Sequence, residues 1–147
     1  AFDKRVDKID LENQVDGMLG AGNGGIESGY YFPDLVDVLN IATHATFYSH
    51  FIVSERYIQV YGKLEVQPTA PNTRTLIEVQ LPIASAFTSA DQLHGLVNGV
   101  PLGGATEGFG GIITGNTGTG FAQFEFFPQS NNNFNIRYMF SYERVPI

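Results

Sequence analysis

Between Tyr57 and Gln67 apolar and polar side chains alternate without a break. Ile58, Val60, Gly62, Leu64 and Val66 fall on one parity, and Tyr57, Gln59, Tyr61, Lys63, Glu65 and Gln67 fall on the other. Successive side chains of a strand project to opposite faces, so the pattern predicts a long strand with an aliphatic row in a core and an amphipathic row facing water or a partner. A helix would scatter these aliphatics around its circumference. One dry and one wet face point to an antiparallel sheet.

The same logic places further strands. In Arg74–Leu81, Thr75, Ile77, Val79 and Leu81 alternate with Leu76, Glu78 and Gln80 until Pro82 ends the run. Phe121–Phe127 puts Ala122, Phe124 and Phe126 on one face. In the last strand Phe134, Ile136, Tyr138, Phe140 and Tyr142 oppose Asn135, Arg137, Met139, Ser141 and Glu143. Tyr30–Phe32 runs into Pro33 and suits an edge strand. Leu35–Ile41 is apolar enough to be buried. Ala45–Val53 reads as one strand, which Ser54, Glu55 and Arg56 turn into the Tyr57 strand as a hairpin. Pro68–Thr73 is a loop, because its two prolines delete ladder donors. Residues 83–99 are ambiguous, with Ile83, Phe87, Leu93 and Leu96 as candidates to line short strands. Glycine punctuates Gly95–Gly120, leaving one short strand near Phe109 and Ile112–Ile113. About eight evenly spaced strands with no helix in the body predict an all-β fold, an antiparallel β-sandwich or jelly roll. The order of the strands is not legible from the pattern.

Residues 1–19 differ from this body. Charges of both signs are dense, Phe2, Val6 and Ile9 share a helical face, and Leu11, Val15 and Met18 share a second, offset one. The segment suits either a short amphipathic helix capped near Asp3 or an extended arm that orders on a partner. Gly17–Gly29 is too rich in glycine for a regular element and reads as a linker or a loop packed by its neighbours. Two regions follow: an arm and linker over residues 1–28, and a β-sandwich domain over residues 29–147.

Composition narrows the partners. The 147 residues carry a net charge of -7, with acids spread along the chain. A polyanion such as nucleic acid calls for a basic footprint, so it is not expected as a partner. No apolar run reaches the roughly 20 residues of a membrane-spanning helix, and no N-terminal apolar segment behind a basic start marks a secretory signal. The absence of cysteine excludes disulfides and thiolate metal sites.

Candidate chemistry is sparse. His44, His50 and His94 share no metal-ligand spacing and have no acidic partner evident in the sequence. Asp34 and Asp37 flank an apolar run and read as solvated turn charges, since two carboxylates alone do not make a glycosidase. The Gly103–Gly111 run lacks the Lys-Ser/Thr ending of a phosphate loop, and Glu107 would repel a phosphate. No serine sits in a nucleophile elbow. The chain is therefore expected to be no enzyme and to hold no cofactor or metal.

The body does resemble a known domain. GYYFP (Gly29–Pro33), LVDVLNI (Leu35–Ile41), YIQVYGKLEVQPTAPNT (Tyr57–Thr73), IEVQLPIASAF (Ile77–Phe87) and a closing YMFSYERV (Tyr138–Val145) follow one another in order. This succession is similar to a C-terminal β-sandwich domain of many tailed-phage and prophage virion proteins, especially fibre-like and head-decorating ones. Gly62, Pro68, Thr69, Leu81, Pro82, Ala84 and Ser85 carry most of the likeness. It covers about residues 29–147; nothing in residues 1–28 matches, and Tyr30, Tyr31 and Phe32 are more aromatic than the usual entry.

The resemblance implies a structural virion protein, and a homotrimer. Tyr57 and Tyr61 on the outward row of the central strand are compatible with such a contact. A small sandwich with a linker and an arm suits a capsid decoration or cement protein, made in the host cytoplasm and bound to the outer capsid surface. Its partner would be the major capsid protein, against which Phe2, Val6, Ile9 and Leu11 of each arm would anchor, with avidity from several arms. The alternative is the receptor-binding tip of a tail fibre or spike recognising a host surface glycan, through Tyr48, Tyr57 and Tyr61 or the Gln129–Asn133 loop. Neither reading calls for nucleic acid or membrane.

Overall fold

A computed structural model describes residues 26–103 and 108–144. Ten strands run through the described residues: β1 (Ile26–Tyr31), β2 (Leu35–Leu39), β3 (Ile41–Thr46), β4 (Ser49–Ser54), β5 (Tyr57–Pro68), β6 (Thr75–Val79), β7 (Leu93–Pro101), β8 (Phe109–Gly115), β9 (Ala122–Phe126) and β10 (Phe134–Glu143). Every pairing is antiparallel, in the order β1-β4-β5-β10-β7-β8-β9-β6-β2, with β3 added beside β5. The sheet curls until its two ends face one another across a common core, giving the expected all-β, sandwich-like body. The N-terminal arm, with Phe2, Val6, Ile9 and Leu11, lies outside the described residues.

The core follows from the alternation. Ile58, Val60, Leu64 and Val66 of β5 are buried with Ile77 and Val79 of β6, Phe124 and Phe126 of β9, and the five inward aromatics and aliphatics of β10. Phe109 stacks on Phe126 at 4.9 Å between centroids and meets Phe134 edge-on at 5.0 Å. Burying each such ring contributes on the order of 2 kcal/mol. Gly62 is the inward position of β5 without a side chain, and a Cβ there would collide with the Tyr138 hydroxyl and Ser49 Oγ. Those two buried hydroxyls share a hydrogen bond. Glycine at 62 leaves room for the one polar link inside this stretch of core.

Several expectations need correction. Leu35–Ile41 was expected to be buried, yet Val36, Val38 and Leu39 are exposed. They belong to β2, the last strand of the sheet, whose one neighbour is β6. Ala45–Val53 is not one strand: it breaks at Phe47–Tyr48, and β3 and β4 pair in succession along the same edge of β5, opposite β10. Glycine does not interrupt β7, where Gly95 and Gly99 are strand positions; the Phe109 ring fills the space a Cβ at residue 99 would take. Within residues 83–99, Phe87 and Leu93 are buried while Leu96 faces outward. β6 is buried on both faces, and the β8–β9 loop covers it at Glu78. There Asn116 Nδ2 and Thr119 Oγ1 donate to the Glu78 carboxylate. Ile26–Gly29, read as linker, form the first part of β1.

Two ties hold the curled sheet closed. Between β2 and β3 the chain leaves one edge and joins the other at Asn40, which adopts φ 62°. Its Nδ2 donates to Ala70 O at 3.0 Å and to Thr75 Oγ1 at 2.8 Å, while Ala70 N donates to its Oδ1 at 2.9 Å. Thr69 N donates to its carbonyl at 3.2 Å. Asparagine suits the site twice, tolerating the left-handed backbone and bonding the facing loop. At the other tie, Tyr31 Oη donates to Gln80 O at 2.8 Å, Gln80 N donates to Asp34 O at 2.9 Å, and Asp34 N donates to Gln80 Oε1 at 3.0 Å. Asn40→Ala should lower the unfolding free energy by about 2–3 kcal/mol, since it loses the bonds and keeps the strained φ. Asn40→Gly, which relieves the strain, should cost less. Urea unfolding of both variants checks the order.

Candidate binding surface

The outward row of β5 belongs to a much wider face. Register places Tyr30, His50, Tyr61, Met139, Leu96 and Ile112 side by side across β1, β4, β5, β10, β7 and β8. All point away from the core, because they occupy the parity opposite the buried residues of their strands. Leu96 is 69% exposed, Ile112 52% and Met139 51%. A shallow hollow of about 870 Å³ lies on this face, lined by Tyr61, Leu96, Ile112, Arg137 and Met139 among others. Large aliphatics grouped in this way mark an interaction surface, whereas single ones need no explanation.

The charges around the hollow are few. Lys63, Arg137 and Asn98 form the neighbouring rank. Lys63 lies over the Phe47 ring, 4.4 Å from its centroid, and Arg137 has no ion pair among the described residues. Arg56 and Arg74 are taken up by Glu143 and Glu125 at 2.8 and 2.7 Å.

The residues singled out by sequence fall in different places. Tyr57 and Tyr61 are both exposed on the outward row, but they are four residues apart, about 13 Å. Tyr61 lies beside Met139 on the apolar rank, and Tyr57 lies beside Glu143 at the strand end. Tyr48 packs edge-on against Phe32 at 5.0 Å. The Gln129–Asn133 turn sits by the Phe134 end of β10, where Gln67 Nε2 donates to Asn131 O. One expectation about histidine is overturned. His44 does have an acidic partner, Asp37 Oδ1 at 2.6 Å, brought to it by the Asn40 corner. Asp37 is thus an exposed strand residue hydrogen-bonded to His44 rather than a turn charge. His50 stacks on Tyr30, and His94 borders the hollow. Among the described residues no group of three His, Cys, Asp or Glu is placed to hold a metal ion.

No protein-family model and no curated protein matches this chain. Its fold is similar to that of the reovirus attachment protein sigma1, crystallised in complex with alpha-2,3-sialyllactose. The superposition has a TM-score of 0.57 at 6% sequence identity and covers 83% of this chain and 68% of that one. The chain thus shares its fold with a viral attachment protein.

Leu96, Ile112 and Met139 were not recognised as a surface from the sequence. The available signal was an apolar residue on the polar parity of three strands; what was missing was their adjacency. On the inner side of the sheet lie hydroxyls with altered proton affinity. Burial raises Tyr138 to about 12, with its Ser49 hydrogen bond acting the other way. Burial pushes Tyr31 and Tyr142 higher still. These are core groups, and their effect is on stability. The folded state holds these protons more tightly than the unfolded chain, whose tyrosines titrate near 10. These tyrosines should leave stability unaffected by pH below about 10 and lower it progressively above that, as the unfolded state alone gives up protons. Tyr138→Phe should make that fall shallower while costing about 1 kcal/mol at pH 7, where Ser49 loses its partner. Denaturation at stepped pH values measures both.

Proposed function

We propose that this chain is a non-enzymatic module of a virion surface protein, the head of an attachment-type protein that assembles with copies of itself and binds a host surface glycan. The observation that carries the reading is the aliphatic rank across the outer face. Interface cores are apolar and poor in charge, and this face has both properties. A second copy of the chain is the partner that the phage-domain resemblance supports, in a threefold arrangement. The shared fold with the reovirus protein supports a head that attaches, and that protein was crystallised with a sialylated glycan.

Capsid decoration is the second reading, and the arm favours it. Phe2, Val6, Ile9 and Leu11 give a short charged segment an apolar stripe of the kind that could lie along a major capsid protein. Both readings place the protein on the outside of a phage particle, and both use self-association.

Self-association is tested by light scattering on a sizing column. The chain should elute as an oligomer, and Leu96→Asp should weaken association at least about 30-fold, or about 2 kcal/mol per contact. The variant should melt as a folded protein, since residue 96 is exposed. A monomeric parent chain would remove the assembly claim. Counting copies in purified virions separates the two readings. A handful per particle is expected of an attachment head, and a number approaching the major capsid protein would instead establish decoration.

A further inference from the structure

The outer surface carries two kinds of exposed apolar group, and their chemistry differs. The middle of the sheet presents Met139, Leu96 and Ile112, which offer no polar edge. The β1–β4 end presents rings. Tyr30 and His50 are register partners, stacked at 5.0 Å between centroids and 29° between planes. Tyr31 and Ser49, the last pair of the ladder, turn inward, and Phe32 and Tyr48, just beyond the ends of β1 and β4, are exposed with their rings in edge contact at 5.0 Å and 65°. Two residues of chain separate the pairs on each side, so four exposed rings are grouped in an array at this end of the sheet. Tyr61, 6.4 Å from His50, extends it onto β5.

Nothing in the fold calls for this array to be exposed. Tyr30 is 74% and Tyr48 71% exposed, and Phe32 is exposed as well. The core is already supplied with rings from β8, β9 and β10. The hydroxyls of Tyr30 and Tyr48 and the ring nitrogens of His50 make no hydrogen bond within the described residues, and no carboxylate, ammonium or guanidinium belongs to the array. Lys63, the nearest cation along this side of β5, is drawn onto Phe47. The surface therefore combines flat apolar faces with unused donors and acceptors.

We infer that this array is a binding site for a neutral oligosaccharide of pyranose rings. A pyranose has the complementary make-up: a C–H face that packs on an aromatic ring, and a rim of hydroxyls that can bond a phenol or an imidazole. The hollow beside it is centred on Leu96, Ile112 and Met139, which have no such handles and suit a protein partner. Absence of charge in the array selects a neutral sugar over an acidic one. This inference rests on the attachment reading and gives that reading a site.

The test uses the whole chain and named probes: maltotetraose, cellotetraose, mannotetraose and the tetramer of N-acetylglucosamine, with alpha-2,3-sialyllactose as an acidic comparison. Ligand-observed NMR titration should show saturable binding of at least one neutral probe. Tyr48→Ala and Tyr30→Ala should each weaken it at least tenfold with the melting temperature unchanged, and Tyr57→Ala, outside the array, should leave it as it was. Tyr48→Leu and Tyr30→Leu, which keep bulk but lose the ring, should fall with the alanine variants. Neutral binding that survives these changes, or binding of sialyllactose alone, overturns the site. If no probe binds, labelled protein is applied to host cells. Labelling that the array variants do not reduce overturns the site but leaves the attachment reading in place. Absence of any labelling removes the attachment reading, and this site with it.

Discussion

A twelve-residue strand paired along most of its length on both edges is the constraint from which this fold is built. β5 meets β10 on one side and, in succession, β4 and β3 on the other. Its side chains alternate with period two, so a slip of one residue against either neighbour would turn four buried aliphatics into water. Register is thereby set for the strands around it, and through β10 for β7 and β8. Gly62 shows how tight the fit is: the space a methyl would need is occupied by the Ser49 and Tyr138 hydroxyls. An empty position in the inward row is as much a part of the packing as a filled one.

Curling the sheet creates a problem at its ends, and short polar contacts solve it. Edge strands leave ladder groups unpaired and have to be restrained or covered. Here the chain itself crosses between the two ends at Phe32–Asp34 and at Asn40, and each crossing is bonded to the opposite half. The same crossings shape the surface. The Asn40 corner brings Asp37 to His44, and the first crossing begins where the Phe32–Tyr48 pair faces outward.

Pairing also accounts for what the outer face can offer a partner. Whatever residue stands on the outward parity of each strand is carried into a common rank, so six strands contribute one side chain apiece to a band of rings and aliphatics. A fold of this kind does not dictate a function. The reovirus attachment protein shares it at 6% identity, and with so little sequence in common the contacts each makes must be read from its own side chains. In this chain the band changes character along its length, from polar-edged rings on β1 and β4 to bare aliphatics on β10, β7 and β8. The proposed site and the proposed self-contact occupy the two ends of this gradient.

Alternation alone determined the all-β class, β5, β9 and β10, the hairpin turn at Ser54–Arg56, and the inward residues of those strands. That signal is local, because each side chain's face depends only on its parity within the strand. It fell short wherever burial depends on what lies above a strand. Val36, Val38 and Leu39 are apolar and yet exposed, since β2 ends the sheet, while Glu78 has outward parity and yet is buried under a loop. It could not show the break at Phe47–Tyr48 either, because that break exists to let two strands share one edge of β5. The candidate surface was legible only in part. Tyr48 and Tyr61 stood out as exposed rings, but their neighbours Tyr30, Phe32 and His50, and the rank of Met139, Leu96 and Ile112, come from segments far apart in the chain. Adjacency across strands depends on register and strand order, and only the tertiary structure decided those.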